Sequence, residues 1–223
     1  GHPLVSSIVT DQGIVHYETY GQGKPVVLLH GWLGSWGLCQ KTMEVLGRSY
    51  RTYALDFWGF GDSGKKRETY AVSDFVRLVD QFMTQLGIES APLVGHSMGG
   101  TVSLSVALRY PQRVQKVVVV GSPIVGSSLN ILLQLAGFRA IAFMVYNMPA
   151  VLRLGVRLFS PFIVNREPLA WYRAQERDLS KTTLESFFAS IGSLRRTDLR
   201  PRLSEVKVPT LGIYGIGDTI VHP

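Results

Sequence analysis

Hydrophobic residues along this chain fall into two alternating rhythms. Short apolar runs of strand type stand at 13–20 (GIVHYETY), 25–30 (PVVLLH), 50–56 (YRTYALD), 91–95 (APLVG), 117–121 (VVVVG) and 210–215 (TLGIYG). An unbroken run such as PVVLL suits a strand buried on both faces, as in a parallel sheet. The first run reads as a strand of an opening hairpin, turned at Gly21-Gln22-Gly23. Between the later runs the period lengthens. Val72, Phe75, Val76, Val79, Phe82, Met83 and Leu86 recur at steps of three and four, which predicts an amphipathic helix over 71–86 ended by Gly87. Residues 98–109 predict a second helix, apolar nearly all round and therefore buried, with Pro111 just past its end.

This alternation implies an α/β fold, a doubly wound, mostly parallel sheet with helices on both faces. The rhythm breaks over 124–203, where helical periodicity runs on without a strand. An insertion of that size predicts a helical cap over the strand ends. The expected organisation is a main domain of residues 1–123 and 204–223 and a cap of residues 124–203.

Composition narrows the function classes. The 223 residues are 46% hydrophobic and 17% charged, enough for a substantial core and too few charges for disorder. The single cysteine, Cys39, excludes an internal disulfide and cysteine-rich metal sites. The net charge of +7 is spread along the chain apart from a short cluster at 194–207, without zinc-finger spacing or an aromatic–basic RNA signature, so no nucleic-acid partner is expected. The stretch 124–164 is apolar but broken by Pro149, Pro161, Arg139, Arg153 and Arg157, which makes it a poor spanning helix. Peripheral contact of those arginines with a lipid surface is the weaker reading, solvated helix faces the stronger. The N-terminus GHPLVSS has no charged-then-apolar leader pattern, and the expected compartment is cytoplasmic, although a leader removed earlier would leave no trace.

The candidate chemistry centres on APLVGHSMGG at 91–100. Ser97 stands between a strand and a helix, with Gly95 and Gly99 on either side. A reversal from strand to helix in about two residues crowds its neighbours, and glycines relieve that crowding. The bend projects the hydroxyl at the carboxyl edge of the sheet, in front of a helix N-terminus. Acyl transfer also needs two N–H donors aimed at the developing oxyanion. The main-chain amide of Met98, after the nucleophile, is one candidate. Trp32, in the HGWLG loop after the PVVLL strand, is the other, and His30 at the root of that loop reads as structural. Asp56, opening DFWGFGDSG, reads as a residue that caps and ties down its own loop rather than as a catalytic acid.

HGWLGS, DFWGFGDSG, GHSMGG and VPTLGIYGIGDTIV together resemble the α/β-hydrolase superfamily, in its esterase and lipase-like branch with a helical cap. The resemblance covers the chain from about Gly13 onward except the cap. It implies a Ser97 nucleophile, Asp218 as the acid behind a histidine, oxyanion donors at Trp32 and Met98, and no metal or organic cofactor. The chain order of such a triad is Ser, acid, His. His2, His16, His30, His96 and His222 do not fit the last place. The catalytic histidine, the last strand and the closing helix are therefore expected beyond residue 223; the alternative is a short form inactive as a hydrolase. The activity implied is cleavage of a small-molecule carboxylic ester with an apolar acyl or aromatic group, suggested by apolar cap residues at 131–146. Carbon–carbon bond hydrolysis, thioester hydrolysis, cofactor-free peroxidase chemistry, acyl transfer and non-catalytic ligand binding are the alternatives.

Overall fold

The computed structural model describes residues 4–65, 70–129, 173, 177–218 and 221. The apolar cap residues at 131–146, Arg139, Arg153, Arg157 and His222 lie outside them, as does most of the stretch expected to form the cap.

Seven strands form one sheet: β1 (Leu4–Thr10), β2 (Gly13–Tyr20), β3 (Pro25–Leu29), β4 (Arg51–Leu55), β5 (Ala91–His96), β6 (Val114–Val120) and β7 (Thr210–Ile213). Their order across the sheet is β1-β2-β4-β3-β5-β6-β7. All pairs from β4 to β7 are parallel; β2 meets β1 and β4 antiparallel. Among the described residues, the helices include α1 (Gln40–Leu46), α2 (Val72–Gln85), α3 (Met98–Arg109) and α4 (Leu184–Arg196).

The period-two pattern of β3 explains the layering. Val27 and Leu29 face a core shared with α2 and α3, while Val26 and Leu28 face a smaller core with Met43 of α1. Both faces of the strand are covered, as its unbroken apolar run requires. The apolar stripe of α2, from Phe75 to Met83, is fully inside the larger core, which Ile191 and Leu194 of α4 complete. Burying each such side chain contributes roughly 1.5–3 kcal/mol. Among the described residues, no helix is long and apolar enough to cross a membrane.

The opening of the chain differs from the sequence expectation. The hairpin is β1–β2, turned at Asp11-Gln12, and Gly21–Gly23 instead leads β2 to a strand that is not its neighbour. β4 inserts between β2 and β3 because its register pairs it with both. The strand β1 and the seven-residue helix α1 are not among the elements expected from the sequence.

Candidate active site

β5 and α3 are joined by a single residue, Ser97, with φ 51° and ψ −122°. A non-glycine residue held there stores about 1–3 kcal/mol of backbone strain. Three hydrogen bonds fix it: the Ser97 N–H donates to the Val120 carbonyl at 2.9 Å, and its carbonyl accepts from the Gly100 N–H at 2.9 Å and the Thr101 N–H at 3.4 Å. The flanking glycines follow from close approach. A Cβ on Gly95 would sit 2.3 Å from the Gly99 backbone, and one on Gly99 would sit 2.2 Å from the Leu29 carbonyl oxygen. Among the described residues, nothing hydrogen-bonds the half-buried Ser97 hydroxyl.

The loop after β3 lies directly against this bend. A Cβ on Gly31 would be 3.0 Å from both the Ser97 Cβ and the His96 Nδ1. The loop closes as a turn with the Gly34 N–H on the Gly31 carbonyl at 3.1 Å and Leu33 at φ 61°. Positive φ at that third position is the signature of a type II turn. His30 anchors its root. The Nε2 atom accepts from the Phe57 N–H at 3.0 Å, so Nδ1 carries the proton and donates to the Gly31 carbonyl at 2.7 Å. Burial depresses its pKa and keeps the ring neutral. The main-chain N–H groups of Trp32 and Met98 make no hydrogen bond among the described residues. Met98 follows Ser97 directly and Trp32 follows Gly31, the residue packed against the bend.

Asp56 follows β4 and is completely buried. One carboxylate oxygen accepts from the Trp36 N–H at 2.6 Å; the other accepts from the Asp62 N–H at 2.9 Å and from His16 Nδ1 at 2.8 Å. Burial alone would raise its pKa, but these donors prevail and hold it below the ordinary carboxylate range. Burial likewise opposes the charge on His16, yet the bond to Asp56 and the Asp56 and Glu18 charges raise its pKa. Asp56 is thus spent on tying the loop after β4 to the loop after β3.

Asp218 stands in the turn after β7. Its N–H donates to the Gly215 carbonyl at 3.1 Å, and Oδ1 accepts from the Val221 N–H at 3.0 Å. Oδ2 lies 3.3 Å from the place a Gly121 Cβ would occupy, beside the end of β6. Val120 of that same strand end receives the Ser97 N–H, so β6 brings the acid and the serine to one edge. The hydroxyl of Tyr214 donates to the Ser122 carbonyl at 2.9 Å and ties the Asp218 turn to β6. Of the histidines, His16 and His30 are engaged with other partners, and His2 and His222 lie outside the described residues. His96 ends β5 with an exposed side chain and feels the charge of Asp218.

A residue group that the sequence does not single out sits behind Trp32. Its indole Nε1–H donates to the Ser190 Oγ at 3.0 Å and the Phe187 carbonyl at 3.3 Å, and its ring lies 4.8 Å from that of Phe187. Ser35, on the same loop, donates to Asp178 at 2.9 Å. No spacing links positions 32 and 190; the hydroxyl periodicity of α4 is the one signal that could have found them.

A serine on a strained strand–helix bend at the carboxyl edge of a parallel sheet is the arrangement of a nucleophile elbow. The chain belongs to the alpha/beta hydrolase fold family, whose sequence model matches residues 24–161. It is 31% identical over 221 residues to 2-hydroxy-6-oxo-6-phenylhexa-2,4-dienoate hydrolase of Burkholderia cepacia, covering 93% of this chain and 76% of the relative. It is 29% identical over 222 residues to the pimeloyl-[acyl-carrier protein] methyl ester esterase of Vibrio campbellii, covering 93% and 81%. The fold matches the enol-lactonase of Burkholderia xenovorans LB400 with a TM-score of 0.82 at 21% identity, over 98% of this chain and 84% of that one.

Proposed function

We propose that the full-length protein cleaves carboxylic esters of small molecules with an apolar acyl or aromatic group, through an acyl-enzyme on Ser97. The observation that carries this reading is the Gly31 loop packed against the Ser97 bend, 3.0 Å from a would-be Cβ to that of the serine. In this scheme the Ser97 oxygen attacks the carbonyl carbon and a histidine takes its proton. Asp218 holds that histidine's tautomer and stabilises the imidazolium. The amides of Trp32 and Met98 receive the oxyanion, the histidine returns the proton to the leaving alkoxide, and water reverses the sequence. The methyl ester esterase of Vibrio campbellii supports the ester assignment.

The 2-hydroxy-6-oxo-6-phenylhexa-2,4-dienoate hydrolases favour a second reading, carbon–carbon cleavage of a vinylogous diketone by the same serine. A fluorophosphonate probe tests the shared part: wild type is labelled at Ser97 and Ser97→Ala is not. Turnover of p-nitrophenyl esters beside a vinylogous diketone separates the two. Faster diketone turnover overturns the ester assignment, and absence of labelling overturns both.

A further inference from the structure

We propose that Ser190 is a positioning residue for the oxyanion loop, acting through the side chain of Trp32. The proposal rests on the serine-hydrolase reading above.

The Trp32 peptide supplies one oxyanion donor in that reading, yet little backbone structure holds it. It belongs to neither strand nor helix, and its turn is closed by the single Gly34–Gly31 bond. Gly31 on one side has no side chain, and Leu33 on the other is held at positive φ. The indole is therefore the main handle on this peptide. It is held by α4, far away in sequence.

The donor sense of the contact is fixed. Ser190 is fully buried, and its hydroxyl donates to the Ser186 carbonyl one helical turn back. The lone pairs of the same oxygen are left to accept the Trp32 Nε1–H at 3.0 Å. An indole nitrogen can only donate, so the two groups match without ambiguity. Phe187, one turn away, packs against the same ring with the planes inclined by 54°.

Ser190 is one member of a built series. Ser186, Ser190 and Ser193 follow one another at steps of four and three, which places them along one side of α4. The Ser186 hydroxyl donates to the Gly59 carbonyl at 2.9 Å, and Ser193 accepts from the Val72 N–H at 3.0 Å. The helix thus grips the loop after β4 and the first residue of α2 at points flanking its grip on Trp32. With those ends fixed, the position of the Ser190 oxygen is set by the main domain. It transmits that position to the indole and so to the amide. Hydrogen bonds weaken steeply with angle, so a small rotation of the peptide aims its N–H away from a developing oxyanion.

The test uses full-length protein with a p-nitrophenyl ester and a trifluoromethyl ketone that mimics the tetrahedral intermediate. Ser190→Ala removes the nearer of the two indole acceptors and leaves the Phe187 carbonyl at 3.3 Å; Trp32→Phe removes the donor and keeps an aromatic ring. Each is expected to lower kcat about tenfold with KM within twofold, the loss of roughly one hydrogen bond's orientation. Affinity for the ketone falls by the same factor. The double variant is expected to be no slower than Trp32→Phe alone, because that change already breaks the contact that Ser190→Ala removes. A kcat within twofold of wild type in Ser190→Ala overturns the proposal, as do losses that multiply in the double variant. If Ser190→Ala does not fold, Trp32→Phe decides alone, and its unchanged kcat is the refuting result. Fluorophosphonate labelling of the wild type is read first: without it the serine-hydrolase reading fails and the positioning role with it, whereas a labelled wild type with unaffected variants sinks only the positioning role.

Discussion

Replacing Asp56 with asparagine tests the reading of this acid as a structural clamp. The carboxylate receives three donors, the Trp36 and Asp62 amides and His16 Nδ1, at 2.6, 2.9 and 2.8 Å. An asparagine has one oxygen where two are needed. If that oxygen keeps Trp36, the new NH₂ group faces both the Asp62 N–H and a protonated His16. One buried amide loses its acceptor, at about 1–3 kcal/mol. A nearly buried imidazolium loses its partner, and breaking such a pair costs about 3–5 kcal/mol. The expected destabilisation is about 3–5 kcal/mol at pH 6, since relaxation makes the two penalties overlap. It also has a signature in pH. The folded pKa of His16 is raised above 6.5, so its contribution is complete below 6.5 and is lost as pH rises through the folded value. The folded pKa of Asp56 is lowered below 3.8, so its contribution is present above 3.8 and is lost as pH falls through the folded value. The clamp therefore works between those limits, and the gap between wild type and Asp56→Asn should narrow at pH 9. There a neutral His16 can accept from the asparagine NH₂. Urea unfolding followed by tryptophan fluorescence at pH 6 and pH 9 measures both gaps. A gap below about 1 kcal/mol, or one independent of pH, refutes the clamp.

Two further outcomes follow from the same structure. Ser97→Gly should raise the stability of the folded protein by up to about 1–2 kcal/mol while abolishing turnover, because glycine occupies φ 51° without strain; a lower thermal midpoint would contradict the strained bend. Cys39 is buried and its thiol pKa is pushed up to about 12, so a disulfide reagent at pH 8 should leave it unmodified until denaturant is added; rapid reaction of the native protein would count against its packing under α1.

The sequence exposes the parts of this molecule that depend on short-range patterns. The α2 stripe, the continuous apolar β3 run and the glycines around Ser97 are local consequences of burial and crowding, and each is found where its pattern places it. His30 and Asp56 read as structural from their loops, and their hydrogen bonds agree. What the pattern conceals is pairing at a distance. β2 alternates well enough to be a strand, but nothing in it says that β4 rather than β3 lies beside it. Nothing in the run 13–20 marks Glu18 for burial, yet it is 3% exposed and bonds His16. The contacts of Trp32 with α4 join residues more than 150 positions apart, where no periodicity reaches.

The spread of activities among the relatives follows from what such a site fixes and what it leaves open. In the proposed reading, strand β5, the Ser97 bend and the loop after β3 determine where a carbonyl oxygen gains negative charge. That demand is shared by esters, lactones and ketones, because each passes through a tetrahedral centre at the attacked carbon. The three differ in the group that departs. An alkoxide needs a proton at oxygen, whereas a carbanion delocalised into a dienoate needs one at carbon. Selection between them therefore rests on groups facing the departing side, away from the Trp32 and Met98 amides. A substitution that alters the ratio of ester to diketone turnover should map to that side, whereas changes behind Trp32 should slow both substrates by the same factor. Unequal slowing by Ser190→Ala would mean that α4 contacts the leaving group rather than supporting the oxyanion loop.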